Sequence, residues 1–144
     1  MVSFLRPPFF IFKSVIPKLK DLPGLEVSVD DVLYMPDLVA PEDRPHPFIY
    51  FITISNRSSI PVTVKGRKWV VWQENADVIV VEGDGVVGQF PRLAPGEDFS
   101  YNSKHYVSRS SDVEGAYFVE SDDGRHFFAR IPRFQLRLPE WAQP

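Results

Sequence analysis

The chain has no cysteine. That excludes a disulfide framework, a thiolate metal site and a cysteine nucleophile, and it suits a reducing cytoplasm. It has no excess of base: formal net charge is -3. No basic field supports binding along a phosphate backbone, so no nucleic acid is expected as a partner. It has no apolar run near the ~20 residues that a membrane helix needs, and no membrane association is expected. It has no run of helical period longer than two turns, and its 14 prolines would break most helices.

What remains is β material. At 144 residues, with 12 Phe, 5 Tyr and 3 Trp, one domain with a substantial core is expected. Glu26–Asp30 alternates and Val32–Tyr34 follows it. The stretch from Pro36 to Pro47 holds four prolines and reads as a loop. Phe48–Ile54 is aromatic and β-branched, and is expected to be buried on both faces. Val62–Val64, Arg67–Gln73 and Val78–Val81 supply further strand material, as do Asp98–Ser103, Gly115–Glu120, His126–Ala129 and Phe134–Leu138. Asp122-Asp123-Gly124 reads as a hairpin turn whose Asp-Gly pair supplies positive φ angles. The expected fold is all-β: an antiparallel sandwich of immunoglobulin or fibronectin type III kind with about seven strands. A small antiparallel barrel is the alternative.

The first twenty residues stand apart. They contain Arg6, Lys13, Lys18 and Lys20, no acid, and the cluster Phe9-Phe10-Ile11-Phe12. Pro7-Pro8 and Lys13 bound that cluster too tightly for a signal peptide, and no small-residue cleavage site follows. Residues 1–25 are therefore read as a docked or partner-binding arm, 26–141 as the sandwich, and 142–144 as a tail. Asn56-Arg57-Ser58 fits the glycosylation sequon, and is read as a chance match.

The stretch Gly83-Asp84-Gly85-Val86-Val87-Gly88 matches the glycine spacing of dinucleotide-binding proteins and follows a strand-like run. A pyrophosphate site of that kind needs a helix N-terminus aimed at the phosphates. Pro91 and Pro95 exclude such a helix here. The loop offers at most an anion nest of backbone N–H groups near Gly83, Gly85 and Gly88, for a nucleotide or a diadenosine polyphosphate. Glu82 and Asp84 oppose an anion, no P-loop lysine follows, and turn glycines are the favoured explanation.

Other chemistry finds little support. His46, His105 and His126 are scattered and form no ligand pair, so no metal site is expected. No Gly-x-Ser-x-Gly elbow or recognisable triad order occurs, so no catalytic residues and no cofactor are assigned. Trp69 and Trp72 have opposite parity on one strand. Trp69 is expected in the core, and Trp72 on the surface as a partner contact or beneath the N-terminal arm. Arg67 shares the Trp69 face and would need a carboxylate partner if buried.

A family likeness completes the reading. Gly66-Arg67-Lys68-Trp69, Gly83 to Gln89 with Pro91, and Leu93-Ala94-Pro95-Gly96-Glu97-Asp98-Phe99-Ser100-Tyr101 with Ser103 resemble the ApaG family. Gly115-Ala116-Tyr117 and Ile131-Pro132-Arg133-Phe134, with Leu136 and Pro139, continue the likeness in the same order, over about four-fifths of the chain. The resemblance implies a fibronectin type III-like sandwich. It also implies a small cytoplasmic bacterial protein, or the matching interaction module of larger eukaryotic proteins. It carries a loose association with divalent cation resistance, cobalt and magnesium among them, and with diadenosine polyphosphates, but no established enzymatic activity. A protein or peptide partner is thus expected, with self-association through a strand edge or the arm as a further option. Ser111 to Tyr117 departs from the family's tighter Gly-x-Met-x-Gly-x-Tyr segment, and the first 25 residues are extra.

Overall fold

A computed structural model describes residues 20–144. The Phe9–Phe12 cluster and most of the proposed arm lie outside the described residues. Seven strands of seven residues or more carry the fold, with two short ones added. They are β1 (Lys20–Asp21), β2 (Leu25–Tyr34), β3 (His46–Asn56), β4 (Val62–Gln73), β5 (Val78–Asp84), β6 (Arg92–Leu93), β7 (Asp98–Val107), β8 (Ser111–Ser121) and β9 (His126–Leu136). A single 3₁₀ turn, Glu140–Ala142, is the only helical element among the described residues.

The strands form two sheets. The larger runs β1-β9-β8-β4-β5, with β6 on the same flank of β4 as β5; the smaller runs β2-β3-β7. All pairings are antiparallel except β1 with β9, where Lys20 and Asp21 lie beside Phe127 and Phe128. β1 falls inside the segment that the sequence sets apart as an arm, so the chain joins the larger sheet a few residues before β2.

Alternation builds the core between the sheets. β3 contributes Phe48, Tyr50, Ile52 and Ile54; β4 contributes Val62, Val64, Trp69 and Val71. β8 adds Val113, Tyr117 and Val119, and β9 adds Phe127, Ala129, Ile131 and Leu136. The Phe48–Ile54 run is buried on one face only: Ile49, Phe51 and Thr53 are half-exposed on the back of the smaller sheet. That sheet has no layer over its outer face among the described residues, so its strands alternate.

Three bulges shift the parity. β2 carries one between Val29 and Asp31, β4 one between Val64 and Gly66, and the β8–β9 ladder one opposite Glu114. In the last, Pro132 and Arg133 together oppose one residue of β8. A bulge is where a strand tolerates proline, because the ladder needs no N–H there.

One turn differs from the sequence reading, and another shows what the sequon asparagine does. In the β8–β9 hairpin Gly124 alone takes positive φ (87°), and Ser121 and Arg125 close a three-residue loop through Ser121 N–H donating to the Arg125 carbonyl at 2.8 Å. Asp123 instead accepts from the Ser121 hydroxyl and the Arg125 guanidinium. The sequon asparagine is wholly buried. Its amide donates to the carbonyls of Ile60 and Leu93, both at 2.9 Å, and its oxygen accepts from Ser58. Asn56 is a structural cross-link at the β3–β4 turn, beyond the reach of a glycosylating enzyme.

Candidate functional site

The glycine segment is a hairpin projecting between β5 and β6. Val86 and Gln89 exchange both backbone hydrogen bonds, at 2.8 and 2.9 Å, around Val87 (φ 44°) and Gly88 (φ 78°). Positive φ at both central residues is the type I′ pattern. Gly85 also has positive φ, and a Cβ there would lie 2.3 Å from the Gln89 carbonyl oxygen. Gly83 has a different reason to lack a side chain. A Cβ on it would lie 2.7 Å from Nη1 of Arg67, whose guanidinium fills that space.

Arg67 thus finds backbone rather than a carboxylate. Its Nη1 donates to the carbonyls of Asp84 (2.8 Å) and Gly85 (3.2 Å). Its charge is also felt by the phenols of Tyr50, Tyr101 and Tyr117, all pushed up by burial and partly offset by Arg67. The Tyr101 and Tyr117 hydroxyls hydrogen-bond each other. Three N–H groups of the loop are committed internally: Gly85 to the Lys65 carbonyl, and Val86 and Gln89 to each other. The hairpin's outward offering is apolar, with Val87 47 % and Phe90 55 % exposed.

The two tryptophans separate as parity requires. Trp69 is 1 % exposed, with ring centroids of Tyr50 and His105 at 5.0 and 5.1 Å. Gly115 opens the space for it: a Cβ there would lie 3.0 Å from the indole and 2.7 Å from the Lys68 carbonyl oxygen. Trp72 is 46 % exposed on the opposite face, cross-strand from Val78 and Asp112.

The outer face of the larger sheet around Trp72 carries a groove with an apolar floor. The alternation that sends Trp69 and Val71 inward sends Lys68, Val70 and Trp72 outward. Across β5 they meet Glu82, Val80 and Val78; across β8 they meet Ala116, Glu114 and Asp112. Phe118 and Phe128 pair further along. A groove of about 380 Å³ runs over this face, lined among others by Val70, Gly115, Ala116, Phe128, Ile131 and Arg133. The β8–β9 bulge at Pro132 and Arg133 shapes the depression; Gly115, whose Cβ would point inward at the Trp69 indole, lends it only backbone. Trp72 stands beside it and borders a second, polar recess with Gln73, Asp112 and Arg137.

Charges frame the apolar floor. Arg133 reaches Asp112 and Glu114, both at 3.1 Å, and the Arg130 guanidinium lies 5.3 Å from the Phe128 ring centre. Burial pushes the Glu82 carboxyl up, Lys68 partly offsetting it, and Glu82 Oε1 is shielded with no hydrogen-bond partner. An apolar floor with a charged rim suits contact with a macromolecule more than turnover of a small substrate. No three His, Asp or Glu side chains gather as a metal-holding group among the described residues, and no helix there is long and apolar enough to cross a membrane.

The outward placement expected of Trp72 holds, while its neighbours on that face were not singled out in the sequence. Val70, Ala116, Phe118 and Phe128 carried one available signal: β4, β8 and β9 are apolar on both parities, although only one sheet face is a core.

A family model described as the ApaG domain matches residues 36–121. The chain belongs to the ApaG family. Protein ApaG of Enterobacter sp. (strain 638) is 36 % identical over 120 residues, spanning 83 % of this chain and 95 % of that protein. Protein ApaG of Brucella anthropi is 38 % identical over 118 residues, spanning 81 % and 90 %. A crystal structure of an ApaA protein from Bordetella pertussis superposes with TM-score 0.72 at 34 % identity, covering 85 % of this chain and 98 % of that one. The all-β sandwich is thus the ApaG-type fold. A late embryogenesis abundant protein at 11 % identity and TM-score 0.59 shares the fold alone.

Proposed function

We propose that this ApaG protein is a non-enzymatic binding module that recognises a protein or peptide through the outer face of its larger sheet. The observation that carries the reading is the open groove beside a half-exposed tryptophan, on a face whose charges ring its apolar floor. Exposed Trp in such a setting is the residue type most enriched among binding hot spots. The glycine loop supports a ligand less well, because the Gly85 N–H donates to the Lys65 carbonyl and those of Val86 and Gln89 close the hairpin. A cysteine-free chain of this family is read as working in the cytoplasm. Any link to divalent-cation homeostasis is read as running through the partner.

Affinity capture with the intact chain, Trp72→Ala, Ala116→Glu and a back-face control, Asn102→Ala, tests it. The first two variants are expected to lose at least tenfold in affinity, and the control is expected to bind as the intact chain does. A partner that binds all four alike would place recognition elsewhere.

A further inference from the structure

We propose that the groove reads an acidic segment of its partner: an extended peptide whose Asp or Glu carboxylate is taken by Arg130, with apolar side chains further along it over Val70 and beside Trp72. This rests on the reading of the outer face as the binding surface, and specifies the chemistry of what binds there.

Three observations converge. The first is charge. Three cations, Lys68, Arg130 and Arg133, line the groove against one carboxylate, Glu114. The chain as a whole carries -3, so the groove is a local reversal of sign. Complementary potential selects a partner and speeds its arrival.

The second is that one of these cations is uncommitted. Arg133 is held by Asp112 and Glu114, both at 3.1 Å. Lys68 lies cross-strand from Glu82, and the two attract. Arg130 is exposed and pairs with no carboxylate among the described residues. Its guanidinium lies over the Phe128 ring instead, 5.3 Å from the centre. Residues two apart on a strand share a face, which is how this pair forms. Stacking there holds the guanidinium at the groove wall. It leaves the N–H fork for a carboxylate, which the fork can grip at two points.

The third is register. Lys68, Ala116 and Arg130 are direct cross-strand neighbours on β4, β8 and β9. The short Ala116 side chain sits between two long cations, so the row dips at its centre. Val70 and Glu114 form the next row, and Trp72 and Asp112 the one after. Trp72 therefore lies four residues beyond Lys68, about 13 Å along the sheet. An extended peptide laid in this direction repeats the same spacing. A carboxylate over Ala116, beside Arg130, puts the side chain two residues on over Val70 and the one after that beside Trp72. A phosphate fits less well. Glu82 and Glu114 stand in the same rows, and one uncommitted guanidinium does not balance about two negative charges.

Selection from a display library of random heptapeptides on the intact chain tests the chemistry. Recovered sequences are expected to carry Asp or Glu two or four residues from a large apolar residue. In fluorescence anisotropy, a recovered peptide should lose roughly tenfold in affinity when its acid is changed to the amide, and roughly tenfold against Arg130→Gln. The two losses should not add, because they remove one contact. Arg125→Gln, which changes a cation already held by Asp123, should bind as the intact chain does. An unchanged urea midpoint of Arg130→Gln checks that the fold is kept. Recovered sequences without acid, or binding indifferent to Arg130→Gln, would overturn the proposal. So would tighter binding when phosphoserine replaces the acid. Its failure is separable from failure of the functional reading. Peptides that need Trp72 but not Arg130 remove the acidic specificity alone; peptides that need neither place recognition off this face.

Discussion

Acid should weaken this fold most through His105. It sits on β7 facing the core, 7 % exposed, stacked on Tyr50 with ring centroids 4.7 Å apart and edge-on to Trp69. Its Nε2 is buried with no hydrogen-bond partner. Burial lowers its pKa from 6.5 to about 4, because an imidazolium there would lose its hydration without a counter-charge. The unfolded chain takes up the proton below 6.5, and the folded chain only below about 4. The resulting stability is complete above pH 6.5 and drains away as pH falls from 6.5 to 4. At 1.36 kcal/mol per pH unit, the loss is roughly 3 kcal/mol. Urea unfolding of the intact chain and His105→Phe, from about pH 7.5 to about pH 4, isolates it. Phe keeps the stacking and cannot titrate, and every other group cancels in the difference. The intact protein should lose roughly 3 kcal/mol relative to the variant over that range. A difference constant to within about 1 kcal/mol would mean that burial does not set this pKa.

Four further outcomes follow from the packing. Trp69→Ala should cost about 3–5 kcal/mol in chemical denaturation, whereas Trp72→Ala should cost less than about 1 kcal/mol; equal costs would contradict the assignment of faces. Gly115→Ala should destabilise by about 1–3 kcal/mol, because its methyl meets the Lys68 carbonyl and the Trp69 indole, and an unchanged urea midpoint would refute the close approach. Val87→Asn should raise stability by about 1 kcal/mol, since asparagine accepts the left-handed conformation that a β-branched residue resists; a lowered melting temperature would argue against the type I′ turn. Gly83→Ala should evict the Arg67 guanidinium, and its cost should shrink by half or more in an Arg67→Met background; additive costs would show that the two do not touch.

The strands were legible from the sequence, but their continuity was not. Val27 and Val29 point inward on odd numbers, then Val32 and Tyr34 on even ones. Val62 and Val64 precede Trp69 and Val71 in the same way, and Ala129 and Ile131 precede Phe134 and Leu136. Each break is a bulge, and a parity reading takes each as the end of a strand. The candidate site was hidden by the same device. Pro132 and Arg133 fall between the stretches His126–Ala129 and Phe134–Leu138, which read as separate strands, yet they form the bulge that borders the groove. The outward side chain of Trp72 was legible because a tryptophan out of parity with another is conspicuous. Val70, Ala116 and Phe128 were not, because an outward valine or phenylalanine resembles an inward one until the register is known.

The glycine segment shows how a spacing can carry family information without the chemistry it resembles. In a dinucleotide fold, three glycines serve one ligand and one helix. Here each serves a different neighbour: Gly83 the Arg67 guanidinium, Gly85 the Gln89 carbonyl, and Gly88 the hairpin turn. Arg67 in turn lies near the Tyr50, Tyr101 and Tyr117 phenols between the sheets, so the hairpin is fastened to the core by a single cation. It also accounts for Val87. A β-branched residue at φ 44° costs roughly 1–2 kcal/mol, and a hairpin anchored by Arg67 can hold that strain while keeping Val87 and Phe90 in solvent. Strain held at an exposed apolar tip belongs to a contact surface rather than a core. It makes the hairpin the next place to look for a partner if the sheet face proves closed.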